Sequence, residues 1–246
     1  MTIKYVIPAR LSSQRLPRKP LLLIAGKPMI CHVFDRIIES GVDASNVFVA
    51  TDDQEVVDAI SGFGLNVVLT SVDHQSGTDR IYEVSQKLNW SDDQVIINVQ
   101  GDEPLIPIQL LAEFKEFVSI SKSPVNTVCT KLSSQEDFLS RNVVKVVLSD
   151  LGNALYFSRA NIPCDREDPT SYRFARKHIG IYSYTVNSLR DFIKKQSSEL
   201  ELIEKLEQLR FLSNEVSIGV LEYSGVVTRG VDTAEDYLFV KTIIEG

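Results

Sequence analysis

Residues 7–20 read IPARLSSQRLPRKP and gather Arg10, Arg15, Arg18 and Lys19 without one acidic residue. A loop this long and this basic is more than a connector between two elements. Guanidinium and ammonium groups make charge-assisted hydrogen bonds to phosphate oxygens. Arg10, Arg15 and Lys19 are therefore candidates for surrounding a polyphosphate, with Arg18 turned to solvent. Pro8, Pro17 and Pro20 reduce the entropy such a loop would lose on ordering around an anion. The chain contains no GxGxxG and no GxxxxGK[ST] segment, so neither the dinucleotide fingerprint nor the P-loop is supported. The competing reading of the same residues is a solvated basic loop.

Two carboxylates stand out far downstream. Asp102 lies in QGDEPLIP, residues 100–107, just past an apolar run, where a carboxylate can hold Mg²⁺ against substrate phosphates or serve as a turn residue. Asp232 lies in GVDTAED, residues 230–236, and reads equally as a metal ligand or as a helix N-cap. Two such carboxylates suit phosphoryl-type transfer, in which positioning and charge neutralisation carry most of the catalysis. Residues 73–80, DHQSGTDR, offer a small-residue turn at a helix start. That turn can read a base edge or receive phosphate, or be a routine cap. Of three histidines, His32 reads as structural, His74 as a turn residue and His178, entering HIGIY after Arg176 and Lys177, as a ligand contact. A helix over residues 200–212 would line up Leu202, Leu206 and Leu209 and set Glu207 inside an apolar arc beside Gln208. That carboxylate and amide suit sugar hydroxyls; otherwise they are an exposed helix pair.

These loops need a scaffold. Apolar β-branched runs at residues 3–7, 47–50, 67–69 and 95–99 alternate with helical patterns at 29–40, 55–61, 80–88 and 108–120. This is the signature of βαβ units and a parallel, Rossmann-like sheet. Ligands bind beyond the carboxyl ends of such strands, which is where the basic loop and Asp102 fall. Strands at 127–131, 143–148, 154–157 and 178–184 follow in quick succession and predict antiparallel elements. Helices at 187–195 and 200–212, a strand at 216–221 and a closing helix from 233 to about 244, capped by Asp232 or Thr233, complete the expectation. The reading is one domain over residues 1–246, a mixed, mostly parallel α/β sheet with an antiparallel sub-lobe.

Composition narrows the function classes. The 246 residues are 43% hydrophobic and 24% charged, which excludes a disordered, collagenous or disulfide-scaffold chain. No apolar run reaches the length of a membrane span and the first residues lack a secretory h-region, so a cytoplasmic location without membrane insertion is expected. Cys31, Cys129 and Cys164 have no metal or redox spacing. A net charge of −7 argues against nucleic acid as a partner. Yet residues 1–27 hold six bases and no acid, which marks a local anion site.

Taken together, IPARLSSQRLPRKPL, GKPMI, VATDD, HQSGTDR, NVQGDEPLIP, ALYFSRANIP, KHIGIYSY, EKLEQLR and GVDTAED follow in the order found in the 3-deoxy-D-manno-octulosonate (Kdo) cytidylyltransferase family, which the chain resembles over nearly its full length. The resemblance implies a nucleotide-diphospho-sugar transferase fold. It also implies transfer of CMP from CTP to the anomeric 2-hydroxyl of Kdo, release of pyrophosphate, a need for Mg²⁺, and a homodimer feeding lipopolysaccharide or capsule synthesis. It implies that Arg10, Arg15 and Lys19, with Ala9 beside them, hold the triphosphate, and that Ser76, Gly77, Thr78, Asp79, Arg80 and Gln100 surround the cytidine. Asp102 and Asp232 would bind the metal, so that Lys19, Arg10, Asp102 and Asp232 form the catalytic set. Gln100, Arg159, His178, Tyr182, Glu207 and Gln208 would meet the sugar acid, an Arg or His offsetting its carboxylate charge.

The chain departs from the family pattern at several points. Arg18 stands where the family loop usually has Gly, Asp79 where Glu is commoner, the segment 164–177 is shorter, and IPC replaces a frequent aromatic after IP. The last two changes border the sugar side, so 8-amino-Kdo is an alternative acceptor. A sialic-acid-like nine-carbon acid and a catalytically silent nucleotide-binding homologue are further alternatives, weighed against by EKLEQLR with KHIGIY and by the presence of both aspartates.

Overall fold

Alternating β-branched residues draw residues 4–9 into a strand whose Tyr5, Val6, Ile7 and Ala9 are buried. In the computed structural model, which describes residues 2–12, 15–74, 76–228 and 230–246, this strand begins a succession of eleven strands and nine α-helices among the described residues. Ser13 and Gln14 of the basic loop and Gln75 of HQSGTDR lie outside the described residues. The order is β1 (Lys4–Ala9), β2 (Leu23–Ile24), β3 (Lys27–Pro28), α1 (Met29–Glu39), β4 (Val47–Thr51), α2 (Gln54–Ile60), β5 (Asn66–Leu69), α3 (Gly77–Lys87), β6 (Val95–Asn98), α4 (Ile108–Ile120) and β7 (Val125–Lys131). It continues through α5 (Gln135–Leu139), β8 (Lys145–Leu148), β9 (Ala154–Ser158), β10 (Arg176–Thr185), α6 (Val186–Lys194), α7 (Glu199–Glu204), α8 (Leu209–Ser213), β11 (Ile218–Glu222) and α9 (Ala234–Glu245).

Two compact units emerge: Met1–Lys115 with Val226–Gly246, and Glu116–Gly225. In the first, β6, β1, β4 and β5 lie side by side and every neighbouring pair is parallel. Parallel neighbours require crossovers, and α1, α2 and α3 supply helical ones. Each helix starts where a side chain satisfies otherwise unpaired N–H groups or where proline precedes it. Asp53 caps α2 and Pro28 precedes α1. Ser76 and Asp79 form a reciprocal capping box at α3, so that helix begins three residues earlier than its apolar periodicity predicts. The returning segment docks through Val231 and Val240 on Ile24 and Met29, with Leu16, Leu105 and Tyr237 around them.

In the second unit β11 pairs parallel with β7, and β7, β10, β8 and β9 continue as antiparallel neighbours, as the close strand spacing predicts. The β7–β10 register jumps between Ile179 and Tyr182, so Gly180 and Ile181 form a bulge. The expected helix over 200–212 is broken. Lys205 takes a left-handed backbone, φ 55°, and ends α7, while α8 starts only at Leu209. Leu206 and Leu209 are buried, but Leu202 is exposed, so the continuous stripe does not exist. Glu207 sits in the intervening turn rather than in a helical arc.

Arg18 is also left-handed, φ 59°, just before the short 3₁₀ turn Lys19–Leu21. A side chain there crowds its own backbone, which glycine avoids, and this accounts for the glycine of the family pattern. Arg18→Gly is expected to stabilise the protein by up to about 1 kcal/mol, read as an upward shift of the urea midpoint. An unchanged or lower midpoint would show that the strain is relieved elsewhere.

Candidate functional site

In the first unit the loops at the carboxyl ends of β1 and β6 and the segment before α9 meet at Lys19. Its ammonium donates to Asp102 Oδ2 at 2.6 Å and to Asp232 Oδ1 at 3.1 Å, and its side chain is only 15% exposed. Burial alone would lower the Lys19 pKa, but the two carboxylates and their hydrogen bonds outweigh it and raise the value, keeping the ammonium charged. Arg15 reaches the other oxygen of Asp232 at 3.1 Å. A cation is thus already seated between two acids that are distant in sequence.

Backbone geometry forces this meeting. The Val231 N–H donates to the Asp102 carbonyl at 2.8 Å, which sets Asp232 beside Asp102. A Cβ on Gly230 would come within 2.8 Å of the Glu103 carboxylate, and one on Gly101 within 2.8 Å of the Pro8 carbonyl. At Gly101 the clash is with backbone, so only glycine lets the chain pass this closely, whereas at Gly230 the nearest backbone atom, the Asp102 carbonyl, would lie 3.1 Å away. The ambiguity at Asp232 is resolved by Thr233, which caps α9 in a capping box with Asp236 and leaves the Asp232 side chain for Lys19 and Arg15.

Arg10 follows Ala9, the buried last residue of β1, and donates to the His74 carbonyl at 2.8 Å. The His74 ring in turn pairs with Glu83, which also accepts from the Ser71 N–H at 2.8 Å and pairs with Lys87 at 2.9 Å. Burial works against the charge of Glu83, but Lys87, Ser71 and His74 hold its carboxyl down at about 2. His74 is therefore part of a clamp on the loop that anchors Arg10. His32 is structural, bonded to the Ile24 carbonyl at 2.9 Å. Arg18 lies outside the cluster, its Nη1 donating to Glu55 at 3.0 Å.

The HQSGTDR segment behaves differently from its expected ligand role in two places. Asp79 spends its carboxylate on the Ser76 N–H and hydroxyl. Arg80 is 0% exposed: its guanidinium donates to Asp52 at 2.8 Å and to Thr70, so it braces the loops after β4 and β5 and does not offer itself to a nucleotide. Ser76 and Thr78 are buried at the start of α3, with Gly77 against Pro8. Gln100 sits half-buried in the turn that leads to Asp102.

The residues that hold Mg²⁺ in phosphate sites are one or two carboxylates, the remaining positions going to water and phosphate oxygens. Asp102 and Asp232 fit that donor set, because both already point an oxygen at a single cationic atom. No group of three or more acids, histidines or cysteines converges among the described residues.

The second unit carries its own polar cluster. The Tyr182 hydroxyl is buried, with the Thr127 hydroxyl near it. Its ring lies 5.4 Å from that of His178 and stacks on Tyr184 at 5.7 Å. Burial pushes the His178 imidazole down to about 3, so it is neutral and cannot supply the expected charge to a carboxylate. Glu207 is exposed and close enough to raise the Tyr182 pKa, behind the larger effect of burial; Gln208 is buried beside it. Arg159 donates through Nε to the Glu204 carbonyl at 2.8 Å and through Nη1 to the Arg141 carbonyl at 3.0 Å, holding the Lys205 turn that presents Glu207.

Three supports escaped sequence reasoning. Lys145 is fully buried and gives its three protons to the carbonyls of Ser140, Val143 and Arg159. Glu204 takes the Ser158 hydroxyl and the Arg159 N–H. Thr127 bonds His178. The local sequence carries no sign of the first two, while Thr127 faces inward by strand alternation. Cys31 and Cys129 are buried, with thiols pushed up to about 11 and 12 by burial, and Cys164 is exposed. No helix among the described residues is long and apolar enough to cross a membrane.

Comparison with known proteins places this geometry in context. A cytidylyltransferase family model matches residues 5–218. The 3-deoxy-manno-octulosonate cytidylyltransferase of Yersinia enterocolitica is 45% identical, covering 99% of both chains. That of Hahella chejuensis is 44% identical, covering 97% of this chain and 96% of its own. A solved CMP:2-keto-3-deoxy-manno-octonic acid synthetase complexed with CTP superposes with a TM-score of 0.90 at 38% identity, over 100% of this chain and 99% of that one. A putative glucose-1-phosphate thymidylyltransferase from Bacillus anthracis, 17% identical with a TM-score of 0.67, shares the fold.

The Glu83 clamp gives a pH signature. A carboxyl whose folded pKa lies below its ordinary 4.5 stabilises fully above that value and loses the contribution as pH falls towards 2. Glu83→Gln is expected to cost about 1 kcal/mol at neutral pH, allowing for solvent screening, and urea melts should show the gap to wild type narrowing as pH is lowered. A gap independent of pH would contradict the clamp.

Proposed function

Because the chain belongs to the 3-deoxy-manno-octulosonate cytidylyltransferase family, we propose that it transfers CMP from CTP to the anomeric 2-hydroxyl of Kdo and releases pyrophosphate. The observation that carries this reading is the convergence of Asp102 and Asp232 on one cation, Lys19, beside Arg15. Arg10, Arg15 and Lys19 bind the triphosphate through charge-assisted hydrogen bonds. Ser76, Gly77, Thr78 and Gln100 contribute the cytidine side, with Asp79 and Arg80 supporting them from behind. Asp102 and Asp232 would hold Mg²⁺, which would supply charge neutralisation at the α-phosphate and favour ionisation of the attacking hydroxyl. Lys19 remains protonated and adds a fixed positive charge where the pyrophosphate leaving group develops negative charge.

The sugar acid meets Arg159, His178, Tyr182, Glu207 and Gln208. The buried Tyr182 hydroxyl and the neutral His178 ring suit sugar hydroxyls better than a carboxylate, and Arg159 keeps the one permanent positive charge of that set. The protein acts in the cytoplasm as a homodimer and feeds lipopolysaccharide or capsule assembly.

Pyrophosphate release by the purified protein should require CTP, Kdo and Mg²⁺ together, with the other three nucleoside triphosphates and an EDTA control inactive. Asp102→Asn and Asp232→Asn should each lower turnover by at least ~100-fold with the fold intact, the scale of one strong electrostatic contact. Wild-type rates in either variant would overturn the metal assignment. Turnover with 8-amino-Kdo or a nine-carbon acid but not with Kdo would move the acceptor within the same reaction.

A further inference from the structure

The bulge in β10 is stitched by one hydroxyl. Thr127 Oγ1 lies 2.7 Å from the Ile181 carbonyl, 3.3 Å from the Ile179 carbonyl and 3.0 Å from His178 Nε2. A hydroxyl has one proton and two lone pairs. A backbone carbonyl can only accept, so the proton of Thr127 goes to Ile181, the nearer of the two. The oxygen then faces the imidazole with lone pairs alone, and the nitrogen at 3.0 Å must be the one that bears hydrogen. In a neutral ring this leaves Nδ1 unprotonated. Among the described residues the ring is hydrogen-bonded through Nε2 to Thr127, and the Tyr182 ring lies beside it at 5.4 Å. The ring itself is wedged edge-on against Phe157, centroids 5.1 Å apart, so it cannot flip without displacing a buried aromatic side chain.

We propose that Thr127 is a positioning residue: its hydroxyl locks His178 as the Nε2–H tautomer, so that Nδ1 accepts a hydrogen bond from a hydroxyl of the sugar acid. This rests on His178 being a sugar contact, and it assigns that contact a direction. A polyol hydroxyl fits the acceptor, whereas a carboxylate does not. The bulge matters because it turns the carbonyls of Ile179 and Ile181 onto the same hydroxyl, which uses up the only proton Thr127 has.

The test combines spectroscopy and kinetics on the intact protein. Long-range ¹H–¹⁵N spectra, with the His178 ring assigned from His178→Gln, should show Nε2 protonated and Nδ1 bare in the wild type. Thr127→Val keeps the shape and removes the oxygen. It should yield a mixed or Nδ1–H tautomer and raise the KM for Kdo by about tenfold, the loss of one aligned hydrogen bond, with the KM for CTP changed less than about twofold. Thr127→Ser should restore both the tautomer and the KM, which a merely structural role for the threonine would not require. An Nδ1–H ring in the wild type, or a Thr127→Val variant that keeps the wild-type tautomer, would overturn the proposal. Equal effects of Thr127→Val on Kdo and CTP would overturn it too. A wild-type KM for Kdo in His178→Gln would instead overturn the sugar-contact reading beneath it, while the spectrum would still decide whether Thr127 sets the ring.

Discussion

The pairing of Lys19 with Asp102 and Asp232 is the constraint on which the first unit is organised. The two contacts span 83 and 213 residues of sequence, so the start, middle and end of the chain must be brought together for both to form. A largely buried ammonium is costly without partners, and two carboxylates on one oxygen-lined centre would repel without a cation. Each charge is thereby the condition for the other. The parallel sheet supplies the framework: β1 and β6 are neighbours, so the loops leaving their carboxyl ends emerge side by side, and the Val231–Asp102 backbone hydrogen bond brings in the segment before α9.

Around this centre the protein spends other charges on rigidity. Arg80 with Asp52, and Glu83 with His74 and Lys87, tie the loops after β4 and β5 to α3. In the second unit Lys145 and Arg159 play the same part by donating to backbone carbonyls. Arg80 and Lys145 are buried and Arg159 is half-buried, each held by fixed partners, which narrows the conformations available to the turns they hold. They explain why a basic residue in a loop motif is not automatically a ligand contact.

Much of the fold and site was legible in the sequence. Periodicity located the strands and crossover helices of the first unit, and the acid-free stretch of residues 1–27 pointed to the loop that carries Lys19. Three kinds of feature were not legible. The left-handed Lys205 has no local signal, since lysine is an ordinary helix former, and it moved Glu207 from a helix face to a turn. The burial of Arg80 depends on Asp52 and Thr70, brought near only by the tertiary fold. Whether Asp232 or Thr233 caps α9 was undecidable locally because Asp and Thr are both good caps; the capping box of Thr233 with Asp236 shows that Thr233 does. Gly101 and Gly230 could have been found in principle, as glycines flanking the two aspartates, but only the close backbone passages show why they are needed.

The account stands on two aspartates sharing one cation site. Its most direct test is Mn²⁺ binding, followed by electron paramagnetic resonance with and without CTP, in the wild type and in Asp102→Asn and Asp232→Asn. The account predicts a site in the wild type that tightens when CTP is present. Each substitution should weaken it by at least about tenfold, no less than the loss of an outer-shell partner costs. Equal Mn²⁺ affinity in all three proteins would show that the two carboxylates serve Lys19 alone, and would contradict the claim.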